Sequence, residues 1–125
     1  MSTQKKVLIV EDSNTVRYEV RLILQKIGVE VIEVANGLGM FNVIEEYGKP
    51  VDLVIMDLTL KSENGLDLIK RLKDGNYKHI PVIVLTEHAD KDSVIRAKEL
   101  AVSGYLRKPI DRAELVGRVS GILGI

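Results

Sequence analysis

Val7–Ile27 reads VLIVEDSNTVRYEVRLILQKI, and the change of period inside it decides the fold class. Val7–Val10 is a continuous apolar run closed by Glu11-Asp12. Beyond it, Val16, Val20, Ile23, Leu24 and Ile27 fall at i, i+4, i+7, i+8 and i+11, which is one stripe of a helix. Gly28 follows as a fitting C-terminal cap. An apolar strand followed by an amphipathic helix is the repeating unit of a parallel sheet covered on both faces.

The unit recurs along the chain. Val29–Ala35 alternates as a second strand and breaks at Asn36-Gly37. Residues 40–47 carry Met40, Phe41, Ile44 and Tyr47 at helical spacing, and Gly48-Lys49-Pro50 stops them. Leu53–Met56 is a buried strand closed by Asp57, and the loop Thr59–Asn64 leads to Gly65 and a helix bearing Leu66, Ile69 and Leu72. Pro81–Thr86 is a fourth strand, with proline at its first position, where it is tolerated. A helix over Ala89–Ala101, a short strand Gly104–Leu106 and a helix over Asp111–Leu123 complete five βα units. Leu115, Val116, Val119, Ile122 and Leu123 are expected to face inward from the last helix. Residues 1–125 are expected to form one domain, with room after Lys108 for one helix and no separate output domain.

Composition narrows the function. Lys plus Arg and Asp plus Glu each total 18, so a strongly electrostatic grip on nucleic acid or an anionic membrane is not expected. There is no cysteine, which excludes thiol catalysis and cysteine-bound metal. No apolar stretch approaches the ~20 residues of a membrane span, and after the polar Met1–Lys6 the apolar run Val7–Val10 is far too short for a signal-peptide core, so none is expected. A cytoplasmic location is the expectation.

Ligands of open α/β sheets bind beyond the carboxyl ends of the strands. Here those ends carry Glu11-Asp12, Asp57, Thr86 and, just past the fifth strand, Lys108. Two carboxylates ~4 Å apart repel by roughly 4 kcal/mol at an effective dielectric of 20. A divalent cation removes that cost, and an all-oxygen donor set suits Mg2+. An aspartate at the crevice floor can attack phosphorus as a nucleophile. Phosphoryl transfer asks the protein mainly for positioning and charge stabilisation. Singly, each residue has an ordinary structural role. Asp12 or Ser13 can cap a helix, Thr86 can end a strand and Lys108-Pro109 can turn the chain. It is their convergence at four strand ends that carries the argument.

The constellation resembles the receiver domain of bacterial response regulators. The matching segments are VLIVEDS (Val7–Ser13), DLVIMD (Asp52–Asp57), Gly65 eight residues after Asp57, PVIVLT (Pro81–Thr86) and GYLRKP (Gly104–Pro109). They span essentially the whole chain. The resemblance implies a flavodoxin-like (βα)5 three-layer sandwich with strand order 2-1-3-4-5. It also implies Mg2+ ligation by Glu11, Asp12, Asp57 and the backbone carbonyl of Thr59. Asp57 is then the phosphoacceptor, Lys108 binds a phosphoryl oxygen, and Thr86 and Tyr105 are the switch pair. The implied partners are a sensor histidine kinase or phosphotransfer protein, and an unknown output engaged by the face of the fourth helix, fifth strand and fifth helix. Such a domain is not a turnover enzyme; it promotes its own phosphorylation and hydrolysis.

Two departures from the family pattern stand next to the site. Receivers usually carry Met-Pro where this chain has Leu60-Lys61, which should leave the loop less stiff and brings in a cation. They usually carry Ala or Gly where this chain has Glu87, which is expected to slow phosphorylation kinetics. These departures leave room for a degenerate receiver that binds partners without phosphate. A Mg2+-dependent phosphohydrolase is the third reading, but no segment is long enough for a substrate cap. Gly117 and Gly121 sit inside the last helix, where each costs about 1 kcal/mol relative to Ala. Their spacing would admit close approach by a second copy in a homodimer. Gly37-Leu38-Gly39 mimics a dinucleotide fingerprint, but Asn42 replaces its third glycine and it follows the wrong strand. It is read as a loop and helix start. His79 and His88 lack metal-ligand spacing.

Overall fold

The apolar runs become five strands: β1 (Lys6–Val10), β2 (Glu30–Val34), β3 (Leu53–Asp57), β4 (Val82–Thr86) and β5 (Gly104–Arg107). They alternate with five helices: α1 (Asn14–Gln25), α2 (Gly37–Glu46), α3 (Gly65–Asp74), α4 (Lys91–Glu99) and α5 (Arg112–Leu123). The computed structural model describes residues 4–46, 51–87 and 90–125. The expectations placed on Tyr47, Gly48–Pro50, His88 and Ala89 lie outside them.

All four strand pairings are parallel, and the order is β2-β1-β3-β4-β5. The central strand β3 is buried along its whole length, as is β4. Alternation divides their side chains between two cores. Val7, Ile9, Leu53, Ile55, Ile83 and Leu85 pack with Val20 and Leu24 of α1 and Leu115 and Val119 of α5. Leu8, Val10, Val54, Met56, Val82 and Val84 face the other way, against Met40 of α2, Ile69 and Leu72 of α3 and Ala97 of α4. The result is a three-layer sandwich whose interior is aliphatic. Val116, expected to face inward, is half-buried and lies outside that packing.

Short polar side chains start the helices by accepting from otherwise unpaired backbone N–H groups. Ser13, not Asp12, caps α1 by accepting from the Val16 N–H at 3.2 Å. Asn64, Asp90 and Asp111 do the same for α3, α4 and α5. The helix expected from Met40 begins at Gly37, so Gly37-Leu38-Gly39, read as a loop and helix start, forms its first turn. Asn36 Oδ1 accepts from Gly39 N–H there, at 2.9 Å. α1 ends at Lys26 in ordinary right-handed geometry, and Gly28, two residues on, takes the left-handed turn at φ 84°. Gly65 has no room for a side chain: a Cβ would lie 2.4 Å from the Asp57 carbonyl oxygen. No described helix is long and apolar enough to cross a membrane.

Candidate functional site

Because every strand runs the same way, the carboxyl ends of β1, β3, β4 and β5 meet along one edge of the sheet. Carboxylate oxygens of Glu11, Asp12 and Asp57 lie within 4.8 Å of one another there. Glu11 and Asp57 are each 1% exposed, so two of the three charges are taken almost wholly out of water. Lys108, just beyond β5, answers them. Its Nζ is 2.8 Å from Glu11 Oε2 and 3.6 Å from Asp57 Oδ1.

Backbone groups hold each acid. Glu11 donates its N–H to the Val34 carbonyl at 3.1 Å, and its Oε1 accepts from Ser13 N–H at 3.1 Å. Asp57 Oδ1 accepts from the Thr59 N–H at 3.1 Å and the Thr59 hydroxyl at 3.3 Å. Asp12 Oδ2 accepts from the Lys61 N–H at 2.7 Å. Thr59 itself is exposed and pairs in antiparallel fashion with Asn64 across the β3–α3 loop. Leu60 is buried in the α2–α3–α4 core. Leu60 and the Lys61 N–H thus tie the loop to the core and to Asp12.

The electrostatics follow from burial. Desolvation raises the Glu11 carboxyl above its usual range, and nearby Asp57 adds to that, while Lys108 and the Ser13 N–H oppose it. Burial works against the Lys108 ammonium, but Glu11, Asp57 and Glu87 together keep its pKa above the ordinary lysine value. The contact of Lys108 with Glu11 Oε2 has ion-pair distance without hydrogen-bond alignment, so this buried oxygen retains unused acceptor capacity. A buried, under-bonded carboxylate oxygen beside two others fits a divalent cation with oxygen ligands.

Thr86 is buried at the end of β4, and Tyr105 is half-buried on the neighbouring strand. Among the described residues no hydrogen bond of normal geometry reaches the Tyr105 phenol oxygen. Burial, then the Asp90 carboxylate, push the phenol pKa up, while the nearby Thr86 hydroxyl and Arg107 pull it down. Glu87 is exposed, at the rim of an open cleft of about 500 Å³ that it shares with Val16, Glu19, Lys108, Pro109 and Ile110. His79 is exposed.

Two supporting groups went unmarked in the sequence. Arg17 of α1 donates from Nη1 to the Glu11 carbonyl at 2.5 Å and pairs with Glu33 of β2 at 3.5 Å, bracing the acidic corner. Glu63 accepts from the Gly37 N–H at 2.8 Å, tying the β3–α3 loop to the start of α2. Neither has a local signal: Arg17 reaches a backbone carbonyl of its own βα unit and Glu33 of the next, and Glu63 acts on a residue of another unit.

The profile of the response regulator receiver domain matches residues 7–120. The chain belongs to the response regulator receiver family. This receiver is 31% identical over 121 residues to the chemotaxis protein CheY1 of Helicobacter pylori, covering 95% of this chain and 97% of CheY1. It is 35% identical over 129 residues to a probable transcriptional regulatory protein of Picosynechococcus, covering 98% of this chain and 51% of that protein. The chain thus spans about half the length of the latter relative. Among solved structures, Vibrio cholerae CheY4 at low pH superposes with a TM-score of 0.88 at 26% identity, covering 97% and 100% of the two chains. The Mn(2+)-bound form of the response regulator Rcp1 gives a TM-score of 0.79 at 32% identity, covering 94% and 91%. Receiver domains are signalling modules of two-component systems, acting with histidine kinases or phosphotransfer proteins and with output domains. The family binds Mg2+ at an acidic pocket, and this chain carries an acidic cluster of Glu11, Asp12 and Asp57.

Proposed function

We propose that this receiver accepts a phosphoryl group on Asp57 from a histidine kinase or phosphotransfer protein, with Mg2+ held by Glu11, Asp12, Asp57 and the Thr59 carbonyl. The observation that carries the reading is the convergence of three carboxylates and Lys108 at one sheet edge, two of the acids almost fully buried. Bound Mg2+ would neutralise the acids and the phosphoryl oxygens as charge develops.

Asp57 sits at the end of the fully buried central strand, which fixes its carboxylate as the attacking group. A bond forms from an Asp57 oxygen to phosphorus as the donor's P–N bond breaks, and the electron pair leaves with the donor imidazole. The new group adds about −1.5 to −2 charges at neutral pH. Lys108, now shared between Glu11 and Asp57, is within reach to move onto a phosphoryl oxygen. Thr86, at the adjacent strand end, supplies a hydroxyl to another. Tyr105 packs beside Thr86 and reads its displacement, so the α4–β5–α5 face changes and with it the affinity for an output partner. The complete site favours this reading over a phosphate-independent one.

The switch is tested by 1H–15N spectra before and after loading with phosphoramidate and Mg2+. The expected result is shifts at Thr86, at Tyr105 and along α4 and α5, absent in Asp57→Asn. Shifts confined to residues next to Asp57 would contradict the switch.

A further inference from the structure

We propose that the backbone N–H of Lys61 is a positioning group for the metal, holding the Asp12 carboxylate in the orientation in which it ligates Mg2+. This rests on the site reading above. Glu11 is pinned by Ser13 and Lys108, and Asp57 by Thr59 and Lys108. Asp12 is the partly exposed member of the three, and among the described residues its carboxylate has one hydrogen bond, from Lys61 N–H at 2.7 Å.

The donor is itself fixed. Leu60, immediately before it, is anchored in the core with 8% exposure. Thr59 pairs with Asn64, and Glu63 is bonded to Gly37 N–H at 2.8 Å. The amide is thus presented by a loop held on both sides. Receivers that carry proline here have no N–H to offer; this contact exists because the chain departs from that pattern. An aspartate that must order its side chain on binding a cation loses rotamer freedom, and a hydrogen bond already made takes up part of that loss. One N–H occupies one of about four lone-pair sites on the carboxylate, leaving the others for the ion.

The test is Mg2+ titration of the metal-free protein followed by 1H–15N shifts of the β3–α3 loop, comparing Lys61→Ala with Lys61→Pro. Both lack the ammonium, and proline also lacks the N–H. Lys61→Ala is expected to bind Mg2+ at least as tightly as wild type, and Lys61→Pro about threefold to fivefold more weakly than Lys61→Ala. Equal affinity in the two variants, or an equal loss in both relative to wild type, would overturn the proposal while leaving the metal site standing. No Mg2+ binding by the wild type would overturn the metal reading beneath it. Should Lys61→Pro fail to fold, amide exchange decides. A Lys61 amide protected in wild type and exposed in Asp12→Ala supports the latch; one unprotected in wild type overturns it.

Discussion

A single exposed side chain, Glu87, sets the clearest residue-scale test. It stands on the cleft beside Lys108 and contributes to holding the Lys108 ammonium charged. A phosphodonor brings negative charge to the same place, so Glu87→Ala is expected to raise the rates of both phosphorylation and dephosphorylation severalfold. Unchanged rates, followed by stopped-flow or quenched-flow mass analysis, would remove Glu87 from the account. Tyr105 and Lys108 each contribute to a fall in stability at alkaline pH. Burial raises the Tyr105 phenol above its ordinary 10.0, so the unfolded chain ionises first, and its contribution to stability is whole below that pH and lost as pH rises through the folded value. The carboxylates raise Lys108 above 10.5, which gives a loss of the same sign over a slightly higher range. Urea unfolding between pH 9 and 11 should show a shallower loss in Tyr105→Phe than in wild type; identical slopes would contradict the assignment. Residue chemistry was legible in the sequence where strand ends bear it: Glu11, Asp12, Asp57, Thr86 and Lys108 all reach one edge. The braces from Arg17, Lys61 and Glu63 were not: Lys61 reaches Asp12 across 49 positions and Glu63 reaches Gly37 across 26, while Arg17, six positions from Glu11, bonds a backbone carbonyl that no side-chain pattern marks.

At the scale of elements, helix ends and helix glycines hold the testable energetics. Gly117 and Gly121 are exposed inside α5, and a Cβ at either would meet nothing within 4 Å. Within the chain they make no close approach, so Gly117→Ala and Gly121→Ala should each stabilise by about 0.5–1 kcal/mol in denaturant unfolding. A loss of stability that grows with protein concentration would instead show that a second copy packs on them. The helices were legible from their apolar stripes, since Val20, Leu24, Ile69, Leu72, Leu115 and Val119 are all buried. Their first turns were harder. α2 begins three residues before its first core residue, because the Asn36 and Glu63 side chains satisfy N–H groups there, ahead of the apolar stripe that marked the helix.

For the whole molecule, alternation of β and α units dictates a parallel sheet with two covered faces, and the observed two-sided core follows from it. Strand order does not follow from alternation alone; it came from the family resemblance, and the observed β2-β1-β3-β4-β5 agrees. That order is what makes the site. Placing β3 between β1 and β4 sets Asp57 between the Glu11-Asp12 pair and Thr86, with Lys108 entering from β5. The most direct test of that arrangement is the intact mass of the protein after incubation with a small phosphodonor, with and without Mg2+, alongside Asp57→Asn. The wild type is expected to gain one phosphoryl group, only with Mg2+ present, and the variant none. A folded wild type that gains nothing from small donors or a cognate kinase, or an Asp57→Asn protein that gains as much, would contradict it.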